Sequence, residues 1–539
     1  MMPNTLRRHR WLTFALFGLG FILVFRGWVF SGFDRAFGDL EDGYIALALV
    51  EHWHHVFSGS AHWTDPIFFY PQHGVLGFTD AYFLIGLFHA PLRMLGVDAF
   101  TAFMMVMTAL AIVGFFGFQH LASRHFGLPS AYCSVGAFLF AFGNVDAVKL
   151  IHAQSYCAML LPSLCDLALS GWSNKRFAAL LGGASGLLYA ALFLTAFQTA
   201  WFFGCAVLAL ALLHPLIQGR AATCSLITEA FTSKRTFVTA AAGGFVVGIA
   251  PLLSLYLPIL FSGHSRSFAE VVANMPDWRD LANVTPDNAL WGALLKSLAI
   301  AGRPDRPVWE VELAFTPAVL ATFLVGTIVM AVRVRRLDGG DRYFLMCGAV
   351  VVIFWLLQMD YFGFRPWHAV WMLIPGGQAI RYPFRSQLVA NLFVALVVVR
   401  VLAAMTRRAW ARLVLGAVLV VEQVNTVWPA TVSRRAAMAW IQSVPPPPPA
   451  CQFFYLMPRS TPGNLNAPQQ QAAAMLFSEI RNIPTINGAS SWVPDGWTLD
   501  DPAAPGYAAA VRAWVATRDI GRGLCGLDFG FGLWHPGLP

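Results

Sequence analysis

Asp39, Glu41 and Asp42 place three carboxylates within four positions of the segment Phe37-Gly38-Asp39-Leu40-Glu41-Asp42-Gly43-Tyr44. The segment follows an apolar run from Trp11 to Phe30, which has the roughly 20 residues needed to span a bilayer. A carboxylate at the mouth of a helix bundle, partly desolvated and close to lipid, rises in pKa. It is then poised to take a proton from a hydroxyl. The same residues also have a purely structural use. Asp39 can cap a helix, with Asp42 as a capping-box-like partner favoured by the helix dipole. Residue types favour the structural use for Asp42 and leave both uses open for Asp39.

Further along lie Glu51-His52-Trp53-His54-His55, Asp65-Pro66-Ile67-Phe68-Phe69-Tyr70-Pro71 and Phe78-Thr79-Asp80. Histidines beside an acid can ligate a metal, but only Glu51 and His55 share a helical face, and headgroup anchoring is the commoner use. Asn144, Asp146, Lys149, His152 and Gln154 gather at the end of an apolar run. Such a group meets water, or, if it points into a cavity, lines a substrate path. Arg381 and Arg385 then flank Tyr382-Pro383-Phe384. Two guanidinium groups bind a phosphate or pyrophosphate with forked geometry, whereas lone arginines snorkel to headgroups.

These residues need elements to hold them. Of 539 residues 57% are hydrophobic and only 12% charged, against about 25% charge in a soluble domain. A soluble core cannot hide that much apolar surface; a bilayer can. The formal net charge of +8 does not point to nucleic acid, because Lys and Arg fall in short clusters between apolar runs, as topology signals do. The apolar runs cover 11–30, 98–120, 129–146, 152–170, 177–196, 200–217, 237–261, 313–332, 343–359, 386–405 and 413–430. The fold class expected is an all-α transmembrane bundle of about eleven spans.

With the N-terminus inside and the first helix uncleaved, the inside loops hold five basic groups. They are Arg124; Lys175 and Arg176; Arg220, Lys234 and Arg235; Arg333, Arg335, Arg336 and Arg342; and Arg407, Arg408 and Arg412. This is the positive-inside pattern. The outside face then receives 31–97, 262–312, 360–385 and 431–539, so Arg381 opposes the charge bias and phosphate binding is favoured for it. The stretch Ala81 to Leu95 is short and holds His89, Pro91 and Arg93, as an interfacial or re-entrant helix would.

Two domains are expected: a bundle over 1–430 and a small α/β or irregular outer domain over 431–539. Pro445 to Pro449 form a stiff spacer of about 3.1 Å per residue between them. Cys451 and Cys525 are the only cysteines of the tail, on the face that favours oxidation, and a disulfide between them is expected. No Cys or Cys/His spacing suggests structural zinc. Asn283-Val284-Thr285 is a glycosylation sequon, usable only where the host glycosylates.

The order of these segments resembles a group of bacterial polytopic membrane proteins within the GT-C superfamily of glycosyltransferases. The likeness is carried by Gly38-Asp39, Phe69-Tyr70-Pro71, Asp80, His152-Ala153-Gln154, Arg381-Tyr382-Pro383-Phe384-Arg385 and Ile483-Pro484-Thr485-Ile486-Asn487-Gly488. The resemblance implies an inner-membrane protein with a cytoplasmic N-terminus and a periplasmic tail. Its activity would be inverting transfer of a hexose or pentose from a polyprenyl-phosphate-linked donor to an acceptor hydroxyl. The acceptor is a glycan, lipid or protein, and nucleic acid is not a partner.

On that resemblance Asp39 is the base, and Asp42 or Asp80 is a second acid that aids the acceptor or holds a divalent metal. Arg381 and Arg385 hold the donor phosphate, with Lys149 as helper and His152 on the same substrate path. No other cofactor is called for. The Asp39-Leu40-Glu41-Asp42 order departs from a clean paired-acid motif, so the identity of the base stays open. A transporter or flippase for a lipid-linked or polar substrate is the competing reading, and a membrane scaffold a third. Against transport, the spans hold few ionisable residues (Asp166, Glu422), and no two-fold repeat or nucleotide-binding loop appears.

Overall fold

The computed structural model describes residues 4–304, 310–405, 409–427, 430–457 and 465–539. Arg407 and Arg408 of the last expected inside loop lie outside the described residues. Among these, eight helices are long and apolar enough to cross a membrane, and the chain is a multi-pass membrane protein.

Helix α1 (Asn4–Phe30) is the first of them. Its end leads into strand β1 (Arg35–Ala36) and helix α2 (Asp42–Phe57), most of which is buried. Helix α3 (Phe83–Met94) has 12 residues, or about 18 Å of rise. That falls short of a hydrocarbon core of about 30 Å, as the charged residues of 81–95 led us to expect. Glu51 of α2 fixes α3 by pairing with Arg93 at 2.7 Å and His89 at 3.1 Å.

Helix α4 (Ala99–Arg124) starts where the Asp98 side chain accepts from Thr101 N at 3.1 Å. Helix α5 (Ser130–Phe142) leads into the short α6 (Asn144–Val148) and then a tight turn at Lys149–Ile151. The span expected at 152–170 departs from this structure. Ala153–Leu160 is 3-10 helix, and α7 (Leu161–Ser173), with Pro162 in its first turn, has only 13 residues. The apolar character of this stretch comes from burial inside the bundle, not from lipid contact along a continuous helix.

Helices α8 (Ala178–Thr195), α9 (Phe197–Ile217), α10 (Arg220–Phe231) and α11 (Arg235–Phe261) follow. Backbone of α11 lies where side chains on Gly182 and Gly186 of α8 would have to go, so small residues set this approach. The chain then carries the short helices α12 (Phe268–Ala273) and α13 (Gly292–Ser297) before α14 (Pro317–Val332) and α15 (Gly339–Gln358). Helices α16 (Trp367–Leu373), α17 (Gln387–Ala404) and α18 (Ala409–Val421) complete the bundle. Two of the expected spans, 313–332 and 413–430, thus contain shorter apolar helices; among the described residues eight helices meet the length and composition of a span, and the expected count of about eleven is not reached by that measure.

The tail is α/β, and its buried apolar residues are continuous with the core of the bundle. Strand β2 (Val432–Ser433) pairs antiparallel with β1, and α19 (Arg434–Ser443) leads through the proline run to β3 (Phe453–Leu456). Helices α20 (Ala467–Arg481) and α21 (Tyr507–Arg518) precede β4 (Leu524–Asp528) and β5 (Leu533–Pro536). Strand β4 lies between β3, to which it is parallel, and β5, to which it is antiparallel. The expected disulfide joins Cys451 to Cys525 beside this sheet, with Cα atoms 5.5 Å apart.

The tail docks on the loop between α2 and α3. Phe69 N donates to Asn487 O at 3.1 Å, Tyr70 N to Thr485 O at 2.9 Å, and Trp514 Nε1 to Tyr70 O at 2.9 Å. The Phe69 ring stands edge-on to Trp497. A disulfide closing a loop of 74 residues stabilises by about 4 kcal/mol in the chain-entropy account. The Cys451→Ser/Cys525→Ser protein should therefore unfold its tail at lower temperature. Limited proteolysis at rising temperature would register early cleavage beyond residue 444, and reductant should reproduce the effect in the parent chain.

Candidate functional site

Asp39 and Asp42 owe their positions to two glycines. Gly38 has φ +98°, and its Cα packs on Gly43 so closely that a side chain on either has no space. This lets the chain reverse sharply into α2. At the turn Asp39 Oδ1 accepts from Asp42 N at 2.7 Å and from Glu41 N at 2.9 Å. One oxygen of Asp39 is thus committed to backbone donors at the start of α2, the structural use the sequence left open. Asp42, in the first turn, instead directs its carboxylate away from its own helix: Oδ2 lies 3.3 Å from His152 Nε2.

His152 reaches this position because the chain leaves α-helical geometry between α6 and α7. Its Nε2 also lies 3.7 Å from Glu310 Oε1. Glu310 is the hub of the site. Lys149 Nζ is 2.8 Å from Oε1, and Arg385 forks onto both oxygens, with Nε donating to Oε2 at 2.8 Å and Nη2 to Oε1. All three side chains are buried: 1% of Lys149, 7% of Glu310 and 11% of Arg385 is exposed. Burial alone would raise the Glu310 carboxyl, but Arg385 and Lys149 hold it well below the usual range.

Asp42 is pushed the other way, to about 7. Desolvation is the main cause, followed by the negative neighbours Asp39 and Glu41; Lys149 and Arg385 oppose them without prevailing. A carboxylate of this kind holds and releases a proton near neutral pH.

Asp80 sits on the next side of the site. Its Oδ1 accepts from Phe197 N at 3.0 Å, capping the start of α9, and its Oδ2 accepts from Gln154 Nε2 at 3.3 Å. Gln154 Oε1 in turn accepts from Tyr82 OH at 2.6 Å. Burial raises the Asp80 carboxyl above its ordinary value despite these bonds and the nearby Arg385. Gln198, one residue into α9, accepts from Arg385 Nη1 at 3.4 Å.

Arg381 lies apart from the Glu310 hub. The guanidinium carbons of Arg381 and Arg385 stand 4.9 and 4.8 Å from the Tyr382 ring centre, which leaves both beside one aromatic face system. Arg381 Nε pairs with Glu270 Oε1 at 3.0 Å and keeps 42% of its side chain exposed. Glu270 is shared with Arg266 at 3.1 Å, and Arg266 stacks on Trp492 of the tail, its guanidinium carbon 4.2 Å from the ring centre. The tail therefore touches the arginine segment through Arg266.

Lys149, His152 and Arg385 thus come together around the Glu310 carboxylate, Asp42 joins them through His152, Asp80 lies alongside through Gln154 and Gln198, and Arg381 forms the outer rim. Glu310 escaped the sequence reading. Its only signal was two acids, Glu310 and Glu312, in the otherwise apolar Val308 to Phe315. The histidines of α2 scatter: His52 Nε2 contacts Trp63 O at 3.1 Å and His55 Nε2 contacts Glu479 O at 2.7 Å. Among the described residues, no three His, Cys, Asp or Glu side chains converge as a metal would require.

No family model matches this chain, and no curated protein matches it. Among solved structures, the crystal structure of the Archaeoglobus fulgidus oligosaccharyltransferase in the apo form superposes with a TM-score of 0.50 and 11% identity. The match covers 96% of this chain and 69% of that one. Archaeal oligosaccharyltransferase AglB from Archaeoglobus fulgidus, in complex with an inhibitory peptide and a dolichol-phosphate, gives 0.48 and 10%, over 95% and 69%. At such identities the likeness to the apo structure is one of fold alone.

Proposed function

We propose that this chain is a membrane glycosyltransferase that moves a sugar from a polyprenyl-phosphate-linked donor to an acceptor hydroxyl, with inversion at the anomeric carbon. The observation that carries the reading is the single cluster formed by Asp42, His152, Glu310, Lys149 and Arg385. It joins an acid raised to about 7 to buried cations from two distant segments, Lys149 and Arg385. The fold supports the reading, as does the order of motifs along the sequence.

In the proposed reaction the acceptor oxygen attacks the anomeric carbon and its proton passes to the Asp42 carboxylate. The bond from that carbon to the donor phosphate oxygen breaks, and the electron pair leaves with the phosphate. A phosphate leaving group is already anionic, so it needs positive charge rather than a proton donor. Arg381 and Arg385, on either side of Tyr382, supply it, and Glu310 keeps Arg385 in place. Asp42 is favoured as base over Asp39, whose Oδ1 is occupied by two backbone N–H groups. Asp80 orients Gln154 and the start of α9. No step is routed through a metal. The face carrying the tail is assigned as the extracytoplasmic one.

The test is reconstitution in liposomes with polyprenyl-phosphate sugars labelled in the sugar. Loss of label from the lipid with formation of an inverted glycoside supports the proposal. Passage of intact labelled lipid across the bilayer with no covalent product overturns it in favour of a flippase.

Arg381 provides a narrower prediction. A charge-assisted hydrogen bond contributes about 1.5–3 kcal/mol, so Arg381→Gln should raise KM for the donor by roughly ten- to a hundredfold. Because 42% of the side chain is exposed and its ion pair with Glu270 is partly solvated, the variant should melt close to the parent protein. An unchanged donor KM would remove Arg381 from the phosphate site.

A further inference from the structure

We propose a second binding site at the opposite end of the bundle, for the phosphate of an anionic lipid headgroup. A cleft of about 530 Å³ lies where α4 ends, α7 ends and α8 begins, and is lined by Arg124, His125, Ser170, Ser173, Asn174, Lys175 and Arg176. Helix α4 has 26 residues, so about 39 Å of rise separates this cleft from Asp98, which pairs with Arg434 near the tail. The cleft is therefore independent of the Glu310 cluster and of the reading given to it.

Its charge is unbalanced. Asp166 is the carboxylate beside it, and His125 Nε2 occupies Asp166 Oδ1 at 2.8 Å, with His120 Nε2 at 3.5 Å. Among the described residues Arg124, Lys175 and Arg176 have no carboxylate partner. The turn bearing Lys175 and Arg176 is held in shape, because Asn174 Oδ1 accepts from Arg176 N at 3.0 Å and from Phe177 N at 3.4 Å. Ser173 donates its hydroxyl to Leu169 O at 2.8 Å and the Ser170 hydroxyl lies 3.4 Å from His125 Nε2, which leaves the cations to hold the phosphate.

The surroundings select a lipid over a soluble phosphate. Leu169, next to Ser170 in the chain, and Phe177, next to Arg176, are 38% and 43% exposed. A cationic floor with an apolar side wall fits an amphiphile whose chains run along the helices. Basic pockets between membrane helices take anionic headgroups in this way.

The experiment is binding by the full chain in nanodiscs of phosphatidylcholine, with and without phosphatidylglycerol, read by native mass spectrometry. Retention of phosphatidylglycerol, and not of phosphatidylcholine, is expected. With each cation near an anionic headgroup contributing roughly a factor of five, Lys175→Gln/Arg176→Gln should weaken retention about 30-fold. Lys175→Arg/Arg176→Lys should restore it, which separates lost charge from lost fold. Equal retention of the two lipids, or no change in the Gln variant, overturns the proposal. Displacement of phosphatidylglycerol by inorganic phosphate at equal concentration overturns the lipid as source and assigns the cleft to a soluble phosphate.

Discussion

Asp42→Asn should lower sugar transfer about 10³-fold while the protein keeps its thermal stability, because a general base contributes typically 10²–10⁴-fold. Asparagine keeps the size of the side chain and its capacity to hydrogen-bond His152, but it cannot accept a proton. In the parent protein the rate should follow the ionised fraction of Asp42. That carboxyl is raised to about 7, so the base is present above this pH and lost below it. The rate should fall tenfold per unit of pH on the acid side, and the Asn variant should lose this limb.

Asp39 offers the discriminating comparison. Its carboxylate is one of the neighbours that raise Asp42, and asparagine can replace it as acceptor for the backbone N–H groups at the start of α2. With Asp42 as base, Asp39→Asn should retain activity near neutrality and shift the acid limb to lower pH. Abolished transfer in Asp39→Asn, with a normal rate in Asp42→Asn, would hand the role to Asp39. Rates across pH 5 to pH 9 (a span of roughly two units each side of the titration) decide between the two.

The sequence disclosed this site unevenly, for physical reasons. Acids after an apolar run, and arginines set against a charge bias, stand out because each is costly near lipid and needs a local reason. The tail disulfide was legible because only Cys451 and Cys525 occur beyond the bundle. Residues 152–170 misled, since apolar composition registers burial without saying whether lipid or protein provides it. Burial by protein permits the 3-10 geometry that turns His152 and Gln154 toward the acids. Glu310 was hidden for a different reason. An acid in a loop is ordinarily solvated, and its partners lie 75 residues away at Arg385 and further still at Lys149. Only the packed bundle makes its charge necessary.

That necessity sets the second large effect. Glu310→Gln should destabilise the protein by about 3–5 kcal/mol, the usual result of removing one partner from a buried ion cluster. Arg385 and Lys149 would then face each other with no intervening negative charge. The cost arises from those two stranded cations rather than from the lost carboxylate. Lys149→Met should therefore recover part of it, and the Glu310→Gln/Lys149→Met protein should be more stable than the sum of the single changes. Strict additivity would mean that Glu310 does not hold the cations together. The pH dependence gives an independent reading. The folded Glu310 carboxyl lies well below its ordinary 4.5, so its stabilisation is full above that value and disappears as pH falls toward the depressed one. Melting curves in detergent should show the parent protein losing stability over that acidic window, whereas Glu310→Gln, already lacking the carboxylate, should lose correspondingly less.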